Sequence, residues 1–151
     1  MAVTHLLDLA PERIRLLRRS GGVVDILGEI PTDAADLTPR LKALVAGAGD
    51  RPLAAALVLP ESQILYTRLP APGPDDAART AQVRAALDGR TPYALDEIAF
   101  DWTADGDEAV VAAIALETLD EAARFASAHG IDVRGYLAQP EADLFPREVV
   151  F

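Results

Sequence analysis

The sequence predicts an α+β fold with mixed sheets, on three observations. The first thirty residues hold three strand-like runs, with a glycine turn between the second and third. Three later stretches carry apolar residues at helical spacing, each stopped by glycine and followed by another strand-like run. The resulting order is βββαβ followed by βαββαβ, neither a pure meander nor a strict alternation of parallel units.

Val3 to Ala10 reads as a buried strand, and Arg13 to Arg18 alternates Ile14 and Leu16 with Arg13 and Arg15, as a half-exposed strand does. Ser20-Gly21-Gly22 is hairpin-turn chemistry, so Val23 to Ile30 completes an antiparallel meander. After a connection from Pro31 to Leu37, Thr38 followed by Pro39 predicts a helix start, with proline where its missing N–H costs nothing. Leu37, Leu41, Leu44 and Val45 form that helix's apolar stripe, and Gly47 and Gly49 are expected to stop it. Leu53 to Leu59 is apolar throughout, as in a strand covered on both faces.

Pro60-Glu61 breaks that strand, and Gln63 to Leu69 begins another. Pro70, Pro72 and Pro74 make a corner, with Pro74 opening a second helix and Asp75 and Asp76 in its first turn, at the positive end of the dipole. Thr80, Val83 and Leu87 are its stripe, and Gly89 its end. A Thr91-Pro92-Tyr93 turn leads to a strand from Glu97 to Thr103 and a hairpin loop at Asp105-Gly106-Asp107. Ala109 to Leu116 is the most hydrophobic strand and is expected at the centre of its sheet. Thr118 and Glu121 have capping-box spacing for a third helix with Leu119, Ala122, Ala123 and Ala126 on one face and Gly130 as C-cap. Ile131 to Leu137 is the last predicted strand, and Pro140 to Phe145 a short helix or turn.

Composition narrows the function. Half of the residues are apolar and a quarter are charged, so a packed core is expected rather than disorder. The net charge of −10 disfavours nucleic-acid backbones and anionic membrane surfaces. With no cysteine, disulfides, thiolate nucleophiles and zinc–sulfur sites are excluded. The opening MAVTHLLDLAPER has no basic leader before a long apolar run, and the longest apolar run, Ala109 to Leu116, is far short of the ~20 residues that span a bilayer. A soluble chain is the expectation, with a cytosolic location permitted.

Catalytic constellations are scarce. His5 falls inside the first strand and His129 beside a helix-ending glycine, both positions of structural histidines, and neither has a serine or acid at triad spacing. Asp105-Gly106-Asp107-Glu108 is too short for a calcium loop, and Ala46-Gly47-Ala48-Gly49-Asp50-Arg51 lacks the Gly-Lys-Ser/Thr ending of a phosphate loop and follows a helix. Asp8 and Asp101, near strand ends, are the acids best placed for metal or nucleotide work. No catalytic, cofactor-binding or metal-ligating residue is assigned.

Several segments resemble the first half of the actin-like scaffold proteins of the PilM type (type IV pilus assembly) and of the GspL cytoplasmic domain (type II secretion). Val58-Leu59-Pro60-Glu61-Ser62 is similar to the family's Leu-Pro break, and Ile64 to Pro70 to the strand that ends in Leu-Pro. Thr91 to Trp102 resembles its Ile-Pro-Phe-x-Leu-Glu-Glu-Val-x-x-Asp-Tyr stretch, and Ala112 to Gly130, then Ile131 to Pro140, its next strand, helix and strand. The resemblance implies a ribonuclease H/actin-like subdomain (βββαβ) at 1–60, an inserted βαββαβ subdomain at 61–140 and a C-terminal return segment at 141–151, with truncation of a longer chain as an expectation. Where actin-like ATPases carry an Asp-x-Gly phosphate loop, Asp8 is followed by Leu9-Ala10-Pro11-Glu12, and the second phosphate loop lies beyond this sequence.

The expectation that follows is a non-catalytic cytoplasmic scaffold of a pilus or secretion inner-membrane platform, without cofactor. The resemblance implies an inner-membrane protein's tail and an assembly ATPase as partners, and the platform membrane is reached through a partner or a downstream segment; a homodimer is compatible with this. It places partner docking near strand 63–69 and helix 75–88, with Tyr66 and Arg68 as test positions and no contact residue assigned. The alternatives are a generic α+β interaction domain and an actin- or hexokinase-like nucleotide enzyme using Asp8 beside a metal.

Overall fold

The computed structural model describes residues 3–151; Met1 and Ala2, part of the opening read above, lie outside the described residues. The chain divides into two compact units, residues up to Pro60 with Asp120–Ala138, and Glu61–Leu119 with Gln139–Phe151. Helix α3, Leu116–Ala128, starts in the second and ends in the first. This differs from the expected inserted block at 61–140. Residues 120–138 join the first unit because strand β8, Ile131–Ala138, pairs in parallel with β4, Leu53–Val58.

In the first unit β1 (His5–Leu9), β2 (Arg13–Ser20) and β3 (Val23–Pro31) form the expected antiparallel meander, and β1 then pairs in parallel with β4. The order across this mixed sheet is β3-β2-β1-β4-β8. Gly21 and Gly22 make the β2–β3 turn at φ 55° and 82°, a backbone region that side-chain-bearing residues rarely adopt. The register shift between β2 and β3 leaves Leu27 of β3 without a partner, while β2 keeps its alternation: Ile14 and Leu16 are buried on one face and Leu17 on the other. Helix α1, Leu37–Ala48, turns Leu41 and Val45 inward and sets Leu44 over Gly28 of β3. On the other face Leu6, Leu17, Ala56, Val58 and Leu137 form a second apolar cluster.

The second unit is a three-stranded antiparallel sheet in the order β5-β7-β6, from Leu65–Pro70, Glu108–Ala115 and Ile98–Asp105. The most hydrophobic strand is central, as its composition predicts, and every residue of β7 after Glu108 is buried. Helix α2, Asp76–Leu87, lays Val83 and Leu87 on Leu69, Val111 and Ala113.

Several local expectations shift. Helix α1 starts one residue before Thr38, with Asp36 at the cap position, and runs through Gly47. Pro74 lies outside α2, whose cap is Asp75, accepting from the Ala78 amide at 2.8 Å. Thr80 is exposed rather than in the stripe, and it accepts a hydrogen bond from Trp102 Nε1 at 2.9 Å. Thr118 and Glu121 lie inside α3, so they are no capping box. A two-residue strand, β9 (Val149–Val150), follows the one read as last.

Between β5 and α2, Gly73 is buried and donates its amide to Gln82 Oε1 at 3.0 Å. A methyl group there would meet Arg79 Cγ at 2.8 Å and the Arg79 amide nitrogen at 3.0 Å. Arg79 has no room to yield, because its Nη2 donates to the carbonyls of Gly106 and Glu108 at 2.8 and 2.9 Å. Gly73→Ala is therefore expected to cost about 1–3 kcal/mol by overpacking. Gly47→Ala, in the exposed part of α1 with open space around it, is expected to stabilise by about 0.5–1 kcal/mol. Denaturant unfolding of the two variants checks the contrast.

Candidate functional site

The residues singled out for chemistry are dispersed. His5 has its Nδ1 3.3 Å from Thr4 Oγ1, in β1. His129 is buried past the end of α3, with Nδ1 2.7 Å from the Phe125 carbonyl and its ring 4.4 Å from that of Phe125. Since a carbonyl only accepts, Nδ1 carries the proton and donates. The hairpin loop is tied down: Arg68 donates to Asp105 at 2.5 Å, Ala71 donates its amide to the Asp107 carbonyl at 2.9 Å, and Arg79 holds the carbonyls of Gly106 and Glu108. Among the described residues no group of three or more His, Asp or Glu is placed to hold a metal ion.

Asp101 and Asp8 have opposite surroundings. Asp101 accepts Arg147 Nη1 at 2.7 Å, Arg147 Nη2 at 3.2 Å and the Val150 amide at 3.0 Å, while Arg147 also reaches the Trp102 carbonyl at 3.1 Å. The carboxylate thus anchors the C-terminal segment, an engagement invisible in the sequence because the partners lie more than forty positions apart. Asp8 sits in β1 between β2 and β4, directly across from Arg15. Burial there holds its pKa above the ordinary 3.8, a rise that Glu12 assists and Arg15 and Arg13 oppose. In the turn after Asp8, the Ala10 amide donates to the Arg13 carbonyl at 3.1 Å and Pro11 has no amide to offer.

What the second unit offers is an apolar cleft of about 210 Å³. Leu65 of β5, Ile98 of β6 and Ala113 of β7 form its floor, and Gln63, Arg90 and Tyr93 stand at its sides. The short 3-10 turn Glu61–Gln63 places Gln63, and the Thr91-Pro92-Tyr93 turn, in which Thr91 Oγ1 accepts the Tyr93 amide at 3.1 Å, places Tyr93. This space suits one or two side chains and is smaller than the ~300–1,000 Å³ of small-molecule sites. Arg90 keeps its guanidinium free of ion pairs among the described residues. Tyr66 and Arg68 do not line the cleft: they alternate with Leu65 and Leu69, and so lie on the sheet face opposite α2. Tyr66 O–H donates to Glu61 Oε2 at 2.6 Å, and burial together with that carboxylate pushes the phenol's pKa up.

No family model matches the chain, and no curated protein matches it in sequence. Its structure is similar to solved ones. Cyto-EpsL, the cytoplasmic domain of EpsL, an inner-membrane component of the type II secretion system of Vibrio cholerae, superposes with a TM-score of 0.65 over 91% of this chain, at 16% identity. The PilM–PilN type IV pilus biogenesis complex gives a TM-score of 0.67 over 86% of the chain, at 15% identity. The fold is actin-like, of the PilM and GspL type. The chain spans 60% of the first of these structures and 45% of the second. The actin-like fold accounts for the meander, the parallel β1–β4–β8 core and the separate three-stranded unit in one scheme.

The two acids give a paired test. Asp8 binds its proton more tightly folded than unfolded, so its contribution to stability is full below 3.8 and is lost as pH rises through the higher folded value. Asp8→Asn is expected to remove that loss, so the variant gains on the wild type as pH rises toward neutrality. Asp101→Asn is expected to destabilise by about 1–3 kcal/mol at neutral pH, because Arg147 loses its anionic partner, and to speed hydrogen exchange at Val150. Thermal unfolding across pH reads both.

Proposed function

We propose that this chain is a non-catalytic docking domain of a bacterial secretion or pilus inner-membrane platform. One observation carries the reading: most of the chain superposes on two proteins that serve such machines, one of them solved as a complex with a second assembly protein. In this reading the domain is cytoplasmic, and an apolar side chain from the tail of an inner-membrane protein enters the cleft beside β5. Arg90 then meets a carboxylate or carbonyl of that segment and Tyr93 covers it. An assembly ATPase is the second partner the reading calls for. Among the described residues no helix is long and apolar enough to cross a membrane, so membrane association in this scheme runs through a partner or another segment.

The turn after Asp8 supports a role without nucleotide. Phosphate loops close backbone amides on the anion, whereas here the Ala10 amide is already bonded, Pro11 has none, and Glu12 adds negative charge.

The test begins with capture. A tagged chain is expected to retain an inner-membrane protein from detergent-solubilised membranes, and the purified cytoplasmic tail of that protein is then titrated into the chain. Arg90→Glu with Tyr93→Ala, both exposed positions, is expected to weaken tail binding at least about tenfold, with Arg68→Ala as a control that leaves it unchanged. Tail binding indifferent to the double variant would remove the cleft from the proposal. Mg-ATP titrated into the wild type is expected to give no binding heat, and measurable binding would sink the non-nucleotide reading.

A further inference from the structure

The first unit has a cleft of about 360 Å³ that the docking reading does not use. Val45 and Ala46 of α1, with Pro52 and Ala128, give it an apolar lining, and Lys42 and Arg51 stand beside them. Lys42 is the chain's one lysine. Among the described residues neither Lys42 nor Arg51 forms an ion pair, although acids outnumber bases by 24 to 14. Two unpaired cations beside an apolar hollow select an apolar side chain flanked by carboxylates.

The second unit carries such a group. The amides of Leu144 and Phe145 both donate to the Glu141 carbonyl, at 3.0 and 3.2 Å, closing a tight turn. Phe145 is 1% exposed and anchors the turn, while Leu144 is left 45% exposed. Glu141 and Asp143, on either side of Ala142, are exposed and form no ion pair among the described residues. The result is an acidic apolar knob held in one conformation, so its docking has little ordering cost.

We propose that the first-unit cleft of one molecule receives the Glu141–Leu144 turn of a second copy. Leu144 fills the apolar hollow, and Glu141 and Asp143 meet Lys42 and Arg51. Knob and hollow are different patches of the same chain, so each molecule offers both halves of the contact. It is small, which makes it weak and dependent on concentration. A second copy is the occupant because the complementary charge, the exposed leucine and the fixed turn all occur on this chain.

The test uses two full-length variants with reversed charge, Lys42→Glu with Arg51→Glu, and Glu141→Lys with Asp143→Lys. Sedimentation velocity over a concentration series is expected to show self-association of the wild type and its loss, by at least about tenfold, in either variant alone. An equimolar mixture of the two is expected to restore it, since each reversed cleft then meets a reversed knob. Leu144→Ser, at an exposed position that leaves the fold intact, is expected to abolish association without any charge change. A wild type that stays monomeric throughout, variants that associate like the wild type, or a mixture that does not recover would each overturn the proposal. So would a wild type that remains monomeric while a free peptide of sequence PEADLF perturbs the Lys42 resonance, because the hollow would then belong to an acidic segment of another protein. Arg90 and Tyr93 are untouched in every variant, so the outcome is independent of the docking cleft in the second unit.

Discussion

Burying a central strand on both faces is the constraint on which each unit depends. In the first unit β4 carries Leu53, Ala55, Ala56, Leu57 and Val58 out of solvent, and in the second β7 is covered from Ala109 to Ala115. A strand of this kind has no wet side, so the chain must supply cover above and below it. Alanine at 55, 56, 109, 112 and 113 lets the covering elements come close, and larger side chains from those elements fill the space: Leu41 and Val45 from α1, Val83 and Leu87 from α2. Interiors are packed as densely as organic crystals, so thin strands and bulky covers belong together.

Polar contacts fix how the cover is laid. In the second unit the face away from α2 carries Asp101 opposite Ala112, and that carboxylate holds Arg147 and the Val150 amide. On the α2 side, Arg79 stacks 5.4 Å over the Trp102 ring while bonding the hairpin-tip carbonyls, and Trp102 donates to Thr80. The tip of the β6–β7 hairpin and the N-terminal half of α2 are thereby locked together. Such contacts satisfy backbone carbonyls that a hairpin end otherwise leaves to water, which explains why an acidic Asp-Gly-Asp-Glu run serves as a structural corner.

The fold was legible in the sequence wherever local chemistry decides. Period-two runs, the Gly21-Gly22 turn, the Leu41/Val45 stripe and the apolar Ala109–Leu116 run all correspond to observed elements. Helix starts were less so, because Thr38 and Thr118 have good capping chemistry but lie within helices that begin earlier. Long-range pairing was not legible: nothing local says that β8 returns to β4, which moves residues 120–138 into the first unit, or that Arg147 closes on Asp101. The site shared that limit. Strand alternation could have put Tyr66 and Arg68 opposite Leu65 and Leu69, but which face bears α2 and the cleft is settled only by packing.

Asp8 is followed by a turn whose polar groups bond one another. At the end of β1, a carboxylate beside a glycine loop would face free amides able to hold an anion or hydrated cation. In this chain the amide of Ala10 is turned back on Arg13, Thr32 donates both its amide to the Glu12 carbonyl and its hydroxyl to the Pro11 carbonyl, and Asp8 itself is raised in pKa by burial. The polar groups that would greet a ligand are spent on the β1–β2 turn and its junction with β3. The turn is thereby tied to β3 through its own backbone carbonyls, a use of those groups that the sequence does not announce because Thr32 lies some twenty positions from Pro11 and Glu12.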